Sequence, residues 1–302
     1  MRRFRRLLVG VDLTPPGDAV SPGSRRAALQ AQWLAEKTGA SLTLFHSTWT
    51  DIYEDGFEVR AGPGPEGMAS LEELRETYDS SGIPTELVLS GERAWVEMIR
   101  RVQRGENDLV IVARRSAAGH RALGSTSKKL MRKCPAPVWV VKGEAKLLYE
   151  AIAAATDLTP VGDRAVELAA ALALAFGCAL HVIHAVRVPL AAQMSAGWKR
   201  EAEHPSVLQK RAGEAERHIL AALRESHPEA APILHVGSDS PSRFIRETVA
   251  SLDADLLVMG TVSRAGIAGM LVGNTAERLL DRLECALLTI KPRDFLSPVG
   301  SE

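Results

Sequence analysis

The chain is poor in cysteine and aromatic residues and has no net charge. Its 302 residues include three cysteines, Cys134, Cys178 and Cys285. They form no Cys-x-x-Cys pair and are odd in number, so neither a disulfide framework nor a four-ligand zinc site fits. A reducing cytoplasm suits this usage. Lys+Arg and Asp+Glu both total 37. The chain as a whole therefore exerts no field that would draw it to nucleic acid or an anionic membrane, and any such attraction must come from a local patch. No stretch approaches the ~18 apolar residues of a membrane span. The basic start Met1-Arg2-Arg3-Phe4-Arg5-Arg6 is like that of a signal peptide, but the apolar run behind it stops at Asp12, too soon for an h-region. Catalytic signatures are also missing. There is no Walker A or Walker B pattern, no Gly-x-Ser-x-Gly elbow and no His-Glu-x-x-His.

What the chain does have is an internal repeat. Asp12-Leu13-Thr14-Pro15 returns as Asp157-Leu158-Thr159-Pro160, and Arg26-Ala27 as Arg164-Ala165. Gly39, Leu42 and His46 return as Gly177, Leu180 and His184. Asp108-Leu109-Val110-Ile111-Val112-Ala113 is matched by Asp255-Leu256-Leu257-Val258-Met259-Gly260, and Gly124-Ser125-Thr126 by Gly273-Asn274-Thr275. The matches keep their order, which indicates duplication, and a solenoid would repeat at a far shorter period. Each half alternates short apolar runs with longer helical patterns. The runs are 7–11, 42–45, 86–89, 109–112 and 138–141, then 152–155, 180–183, 233–236, 256–259 and 287–290. Such continuous runs suit strands covered on both faces, and their alternation with helices such as 164–176 and 211–224 implies a parallel sheet. The expected fold is α/β: two tandem, doubly wound, Rossmann-like domains, 1–145 and 146–302, each with a five-stranded parallel sheet. The linker is expected at 143–148, with loops at 14–24 and 55–67. The last runs, 138–141 and 287–290, would be exposed as sheet edges and are expected to pair the domains, leaving a homodimer open.

In an open parallel sheet, ligands bind beyond the carboxyl ends of the strands at the point where the strand order reverses. Asp12 and Asp157 follow the first strands and sit where a ribose hydroxyl could be held; alternatively each orders the turn before the next helix. After the fourth strand of the second half, the chain has Gly260, two residues, Ser263, nine residues, Gly273, then Asn274 and Thr275. Glycines let backbone amides approach phosphate oxygens, and a helix starting near Asn274 adds N–H groups and a positive dipole end. Asn274-Thr275-Ala276-Glu277 also reads as a helix cap with no ligand. The first half shortens this loop: Arg114-Arg115-Ser116 is followed after seven residues by Gly124-Ser125. Arg114, Arg115, Lys128 and Lys129 stand around it, and no acidic residue lies between Val112 and Gly143. With Asp12, Gly124 and Ser125 they make a second, weaker candidate anion site, or simply a solvated basic face. His46 and His184 are expected to be hydrogen-bonded core or rim residues, and Cys134 and Cys285 to pack. No catalytic residue and no metal site is assigned.

The loop Gly260-x-x-Ser263-x9-Gly273-Asn274 resembles the Gly-x-x-Gly-x9-Gly-Ser/Thr pattern of universal stress proteins that bind ATP, with two of its four key identities changed. Gly273-Asn-Thr-Ala-Glu277, Lys133-Cys-Pro-Ala-Pro-Val-Trp-Val-Val-Lys142 and Ile290-Lys291-Pro292 resemble the tandem E-type members of that family. The resemblance spans residues 7–291 and implies an adenine-nucleotide alpha-hydrolase-like fold, a cytoplasmic place and a role in stress survival. It implies triphosphate contacts from Ser263, Gly273 and Asn274 and ribose contacts from Asp157 and Gly260, with ATP or another adenine nucleotide as the ligand. The expected function is non-catalytic binding of a nucleotide or other small anionic ligand. The alternatives are slow ATP hydrolysis or nucleotidyl chemistry at the second loop, and a scaffold that meets a macromolecule through the basic patch of the first half. No membrane span is expected, and nucleic acid is not the expected partner.

Overall fold

The computed structural model describes residues 4–15, 17–49, 62–114, 124–142, 149–186, 205–261, 279 and 282–300. They divide into two compact units, Met1–Leu147 with Asp294–Glu302, and Leu148–Arg293. The expected linker, 143–148, lies outside the described residues.

In the first unit the parallel strands are β1 (Arg6–Gly10), β4 (Ser41–Ser47), β5 (Thr85–Ser90), β6 (Leu109–Ala113) and β7 (Val138–Val141), in the order β7-β6-β1-β4-β5. The order reverses between β1 and β6, where Leu7 pairs with Leu109 and Val9 with Ile111. Leu7, Leu8, Leu109, Val110, Ile111 and Trp139 are fully buried, as expected of strands sandwiched between helices. Four helices among the described residues cover the sheet: α1 (Pro22–Thr38), α2 (Pro65–Ser80), α3 (Ala94–Gln103) and α4 (Ser125–Lys133). Helix α1 starts cleanly because the Ser21 side chain accepts from the Ser24 amide and Pro22 presets the first turn. It stops at Gly39, whose φ of 68° only glycine adopts without strain. The two faces of the sheet are easy to tell apart. A Cβ on Gly23 of α1 would stand 3.1 Å from the Ala113 Cβ, whereas one on Gly10 would stand 3.0 Å from Val112 Cγ1 and from Met98 of α3. Ala113 therefore faces α1, and Val112 faces α3.

The segment expected as a loop at 14–24 instead forms a small antiparallel hairpin, β2 (Leu13–Thr14) with β3 (Ala19–Val20), followed by the first turn of α1. Two-residue strands leave no periodicity in the sequence. The hairpin is anchored where the Val20 amide donates to Ser70 Oγ of α2 at 3.0 Å. A Cβ at Gly67 would lie 2.1 Å from the Gly17 carbonyl oxygen, so only glycine allows this approach. The expected loop at 55–67 gives way to α2 at Pro65, a proline in the first helical turn, where no intrahelical N–H is needed; 55–61 lie outside the described residues. The tail, read from sequence as part of the second domain, packs with the first unit. Gln103 Nε2 donates to the Val299 carbonyl at 2.9 Å and Arg100 Nε to that of Gly300 at 3.3 Å.

The second unit repeats the scheme with β8 (Ala151–Thr156), β9 (Ala179–Ala185), β10 (Ile233–Gly237), β11 (Leu256–Gly260) and β12 (Ala286–Ile290), in the order β12-β11-β8-β9-β10. Its described helices are α5 (Pro160–Phe176), α6 (Pro205–Arg224) and α7 (Pro241–Ser251). Helix α5 copies the ends of α1: Thr159 caps it, Pro160 follows, and Gly177 closes it at φ 69°. No described helix is long and apolar enough to cross a membrane.

Candidate functional site

The crevice of the second unit opens where β8 and β11 run side by side, with Ala155 opposite Met259. Asp157 leaves the end of β8, and Gly260 and Thr261 the end of β11, so the structure brings Asp157 and Gly260 to one mouth. The Asp157 turn is tightly determined. Leu158 sits at φ 57°, unusual for a leucine, and its amide donates to Thr156 Oγ1 at 3.0 Å. Thr159 Oγ1 donates to Asp157 Oδ1. Asp157 thus orders the turn and also presents a carboxylate at the switch point. Gly162 lets α5 settle onto this turn: a Cβ there would stand 2.5 Å from Thr156 Oγ1 and 3.2 Å from Asp157 Oδ1. A Cβ on Gly260 would lie 3.1 Å from Val161 of α5. Ser263, Gly273, Asn274 and Thr275 lie outside the described residues.

Behind this mouth are groups that the sequence reading passed over. Lys291, 3% exposed, directly follows β12. Its ammonium donates to Thr261 Oγ1, and its carbonyl accepts from Arg164 Nη1 of α5 at 2.7 Å. Lys142 takes the same place after β7 and is 6% exposed. The repeat held the hint, since a lysine closes the last run of both halves. At the start of α5, Asp163 accepts from His218 Nε2 of α6 at 2.8 Å.

In the first unit, the Asp12 amide donates to Ser24 Oγ at 2.7 Å and its carbonyl accepts from the Ser21 amide at 2.9 Å. Ser24 occupies the place that Gly162 has in α5. Arg114 leaves β6 with its amide bonded to the Val141 carbonyl at 2.9 Å. Gly124 caps α4 without a side-chain hydrogen bond, Ser125 is exposed, and the Lys128 amide donates to the Gly124 carbonyl at 3.2 Å. The Lys129 ammonium lies over the Trp95 ring, 5.2 Å from its centroid, and Lys133 lies over the same ring at 4.5 Å. Arg115 lies outside the described residues.

The two equivalent histidines are held by backbone. His46 Nδ1 donates to the Val11 carbonyl at 2.8 Å, and His184 Nδ1 to the Thr156 carbonyl at 3.1 Å. Burial, more than any charge, lowers the His184 pKa. Cys134 is buried, and burial with Asp255 pushes the Cys178 thiol up to about 11, away from a reactive thiolate. Among the described residues, no three His, Cys, Asp or Glu side chains gather around a metal position.

Residues 3–142 and 148–291 each match the universal stress protein family. The chain belongs to that family. It is 28% identical over 320 residues to Universal stress protein E of Salmonella typhi, covering 99% of this chain and 98% of that protein. Over 321 residues it is 28% identical, with the same coverage, to Universal stress protein E of Escherichia coli K12. Among solved structures it is similar to a putative universal stress protein from Pseudomonas aeruginosa UCBPP-PA14, with a TM-score of 0.71, 24% identity and 97% and 95% of the two chains covered. A universal stress protein from Archaeoglobus fulgidus gives a TM-score of 0.66 at 17% identity, covering 95% and 98%. The tandem Rossmann-like arrangement is thus shared along the whole chain.

Proposed function

We propose that this universal stress protein is a cytoplasmic stress-response protein whose second unit binds an adenine nucleotide, ATP foremost, without turning it over. The observation that carries this reading is Asp157 beside Gly260 at the switch point, at the head of a loop that keeps the family's nucleotide spacing through Ser263, Gly273, Asn274 and Thr275. Asp157 would take the ribose hydroxyls, and Gly260 would let the ligand approach the backbone. The loop amides and Asn274 would hold the phosphates. The test is the nucleotide content of the purified chain, measured by mass spectrometry. An adenine nucleotide should accompany the wild-type chain and be lost from Asp157→Ala. Absence of any bound nucleotide, together with no binding of added ATP, would overturn the proposal.

A further inference from the structure

We infer that the segment 294–300 is a reversible clasp, a strap joined to the second unit that holds α3 of the first by backbone carbonyls and opens without unfolding either unit. The segment leaves the second unit directly after a fixed point. Lys291 is buried, its ammonium donates to Thr261 Oγ1, and its carbonyl accepts from Arg164 Nη1 at 2.7 Å. Arg293 and Asp294 are exposed. At its far end the segment meets α3. Gln103 Nε2 donates to the Val299 carbonyl at 2.9 Å, and Arg100 Nε to the Gly300 carbonyl at 3.3 Å. Positions 100 and 103 lie three apart on a helix and so share one face. Their neighbours are committed elsewhere: Arg101 pairs with Glu86 and Glu106, and Arg104 with Glu97 and Glu106.

The hold is light. Both contacts read only the main chain of the segment, and the one from Arg100 is exposed. No residue from Pro292 to Gly300 is buried, and Leu296, between the root and the dock, is 87% exposed. The Val299 amide is turned back to Ser297 Oγ at 3.2 Å, so the segment satisfies that donor itself. Gln103 Oε1 is buried with no hydrogen-bond partner among the described residues, which leaves half of the carboxamide unused by the docked segment. A segment with so little buried apolar surface opens locally at a lower free energy than the domain it lies on. Pro292 and Pro298 restrict the released chain and so lower the entropy lost when it docks again. What the clasp grips matters to the first unit. Met98 and Ile99 of α3 are buried, and Met98 packs against Gly10 at the end of β1. The clasp therefore ties the chain beyond β12 to the helix beside the first unit's switch point. This inference does not rest on nucleotide binding by the second unit.

The experiment is limited trypsin digestion of the folded full chain, with release of residues 294–302 followed by mass spectrometry. Cleavage after Arg293 requires Asp294, Phe295 and Leu296 to enter the protease, so its rate reports the open population when closing is faster than cutting. Wild type should release the segment with a urea dependence far shallower than that of global unfolding, because opening exposes little surface. Gln103→Glu removes the donor and sets a carboxylate against the Val299 carbonyl. It should speed release about fivefold or more, the weight of one lost hydrogen bond, and leave thermal unfolding of the chain unchanged. Arg100→Ala should do the same. Should changes within α3 disturb the fold, Pro298→Gly leaves that helix intact and should also speed release, because it widens the undocked ensemble. Release equally fast from wild type and all three variants, or release as steep in urea as global unfolding, overturns the inference.

Discussion

The two units share one strand order and one way of capping the first helix, yet they differ where the chain leaves the first strand. In the second unit Gly162 brings α5 down onto the Asp157 turn. In the first, Ser24 stands at that position and takes the Asp12 amide as a partner, while a hairpin inserted after Asp12 leans on α2. The other wall of the crevice differs as well: Thr261 with Lys291 in one unit, Arg114 with Lys142 in the other. Duplication preserved the scaffold, and these differences lie at the carboxyl ends of the strands, where an α/β sheet places its ligands.

Exchanging the residues that make this difference should show it most strongly. Gly162→Ser would force a Cβ against Thr156 Oγ1 and the Asp157 backbone, and overpacking of this kind costs about 1–3 kcal/mol. It should also remove nucleotide binding, since the Asp157 turn must move. In the first unit, Ser24→Ala removes the acceptor of both the Asp12 amide and the Ser21 hydroxyl and should cost about 1 kcal/mol for each bond lost, with no effect on nucleotide binding. Denaturant unfolding and ATP titration of both variants check this, and nucleotide binding lost in Ser24→Ala but kept in Gly162→Ser would contradict it.

Acid should separate the units next. On β9 and β10, His181 Nδ1 and His235 Nε2 lie 3.0 Å apart. Burial and, for His181, the neighbouring ring hold both below the ordinary imidazole value, and burial does the same for His184. In the first unit, the strand next to β1 instead carries Thr43, which donates to Glu86 and accepts from Asn107. A histidine with a lowered folded pKa favours the neutral form. Its stabilisation is whole above the unfolded value of about 6.5 and drains away as pH falls through the folded value. Peptide-level hydrogen exchange should therefore show β9 and β10 loosening below about pH 6.5, before β4 and β5. Replacing His235 with Gln should flatten the dependence, and equal loosening of both units would refute the assignment.

The smallest effect concerns the basic helix α4. Lys129→Ala should cost about 0.5–1 kcal/mol through loss of its contact with Trp95, the range of an exposed cation–π pair. Thermal melts that show no cost would place Lys129 in solvent.

Much of this was legible in the sequence, because strands buried on both faces leave continuous apolar runs. Every expected run became a strand, with ends shifted by a residue or two, as at 42–45 against Ser41–Ser47. Turn chemistry was less legible. The match of Asp12-Leu13-Thr14-Pro15 to Asp157-Leu158-Thr159-Pro160 suggests two equivalent helix starts. Yet Pro15 belongs to the hairpin region, and Ser21-Pro22 does the capping that Thr159-Pro160 does. Of the candidate site, Asp157 and Gly260 came from fold logic together with the family's loop pattern. Lys142 and Lys291 did not, because the residues they face depend on the register between strands, which a single sequence does not display. Lys129 was grouped with the anion cluster by proximity along the chain, whereas its partner, Trp95, comes from another helix.

The most direct test of a divided pair of crevices is calorimetric titration with ATP of wild type, Asp12→Ala and Asp157→Ala. The account predicts that Asp157→Ala weakens binding by about tenfold or more, as loss of a charge-assisted contact would, and that Asp12→Ala binds as wild type does. Binding lost in Asp12→Ala and kept in Asp157→Ala would contradict it.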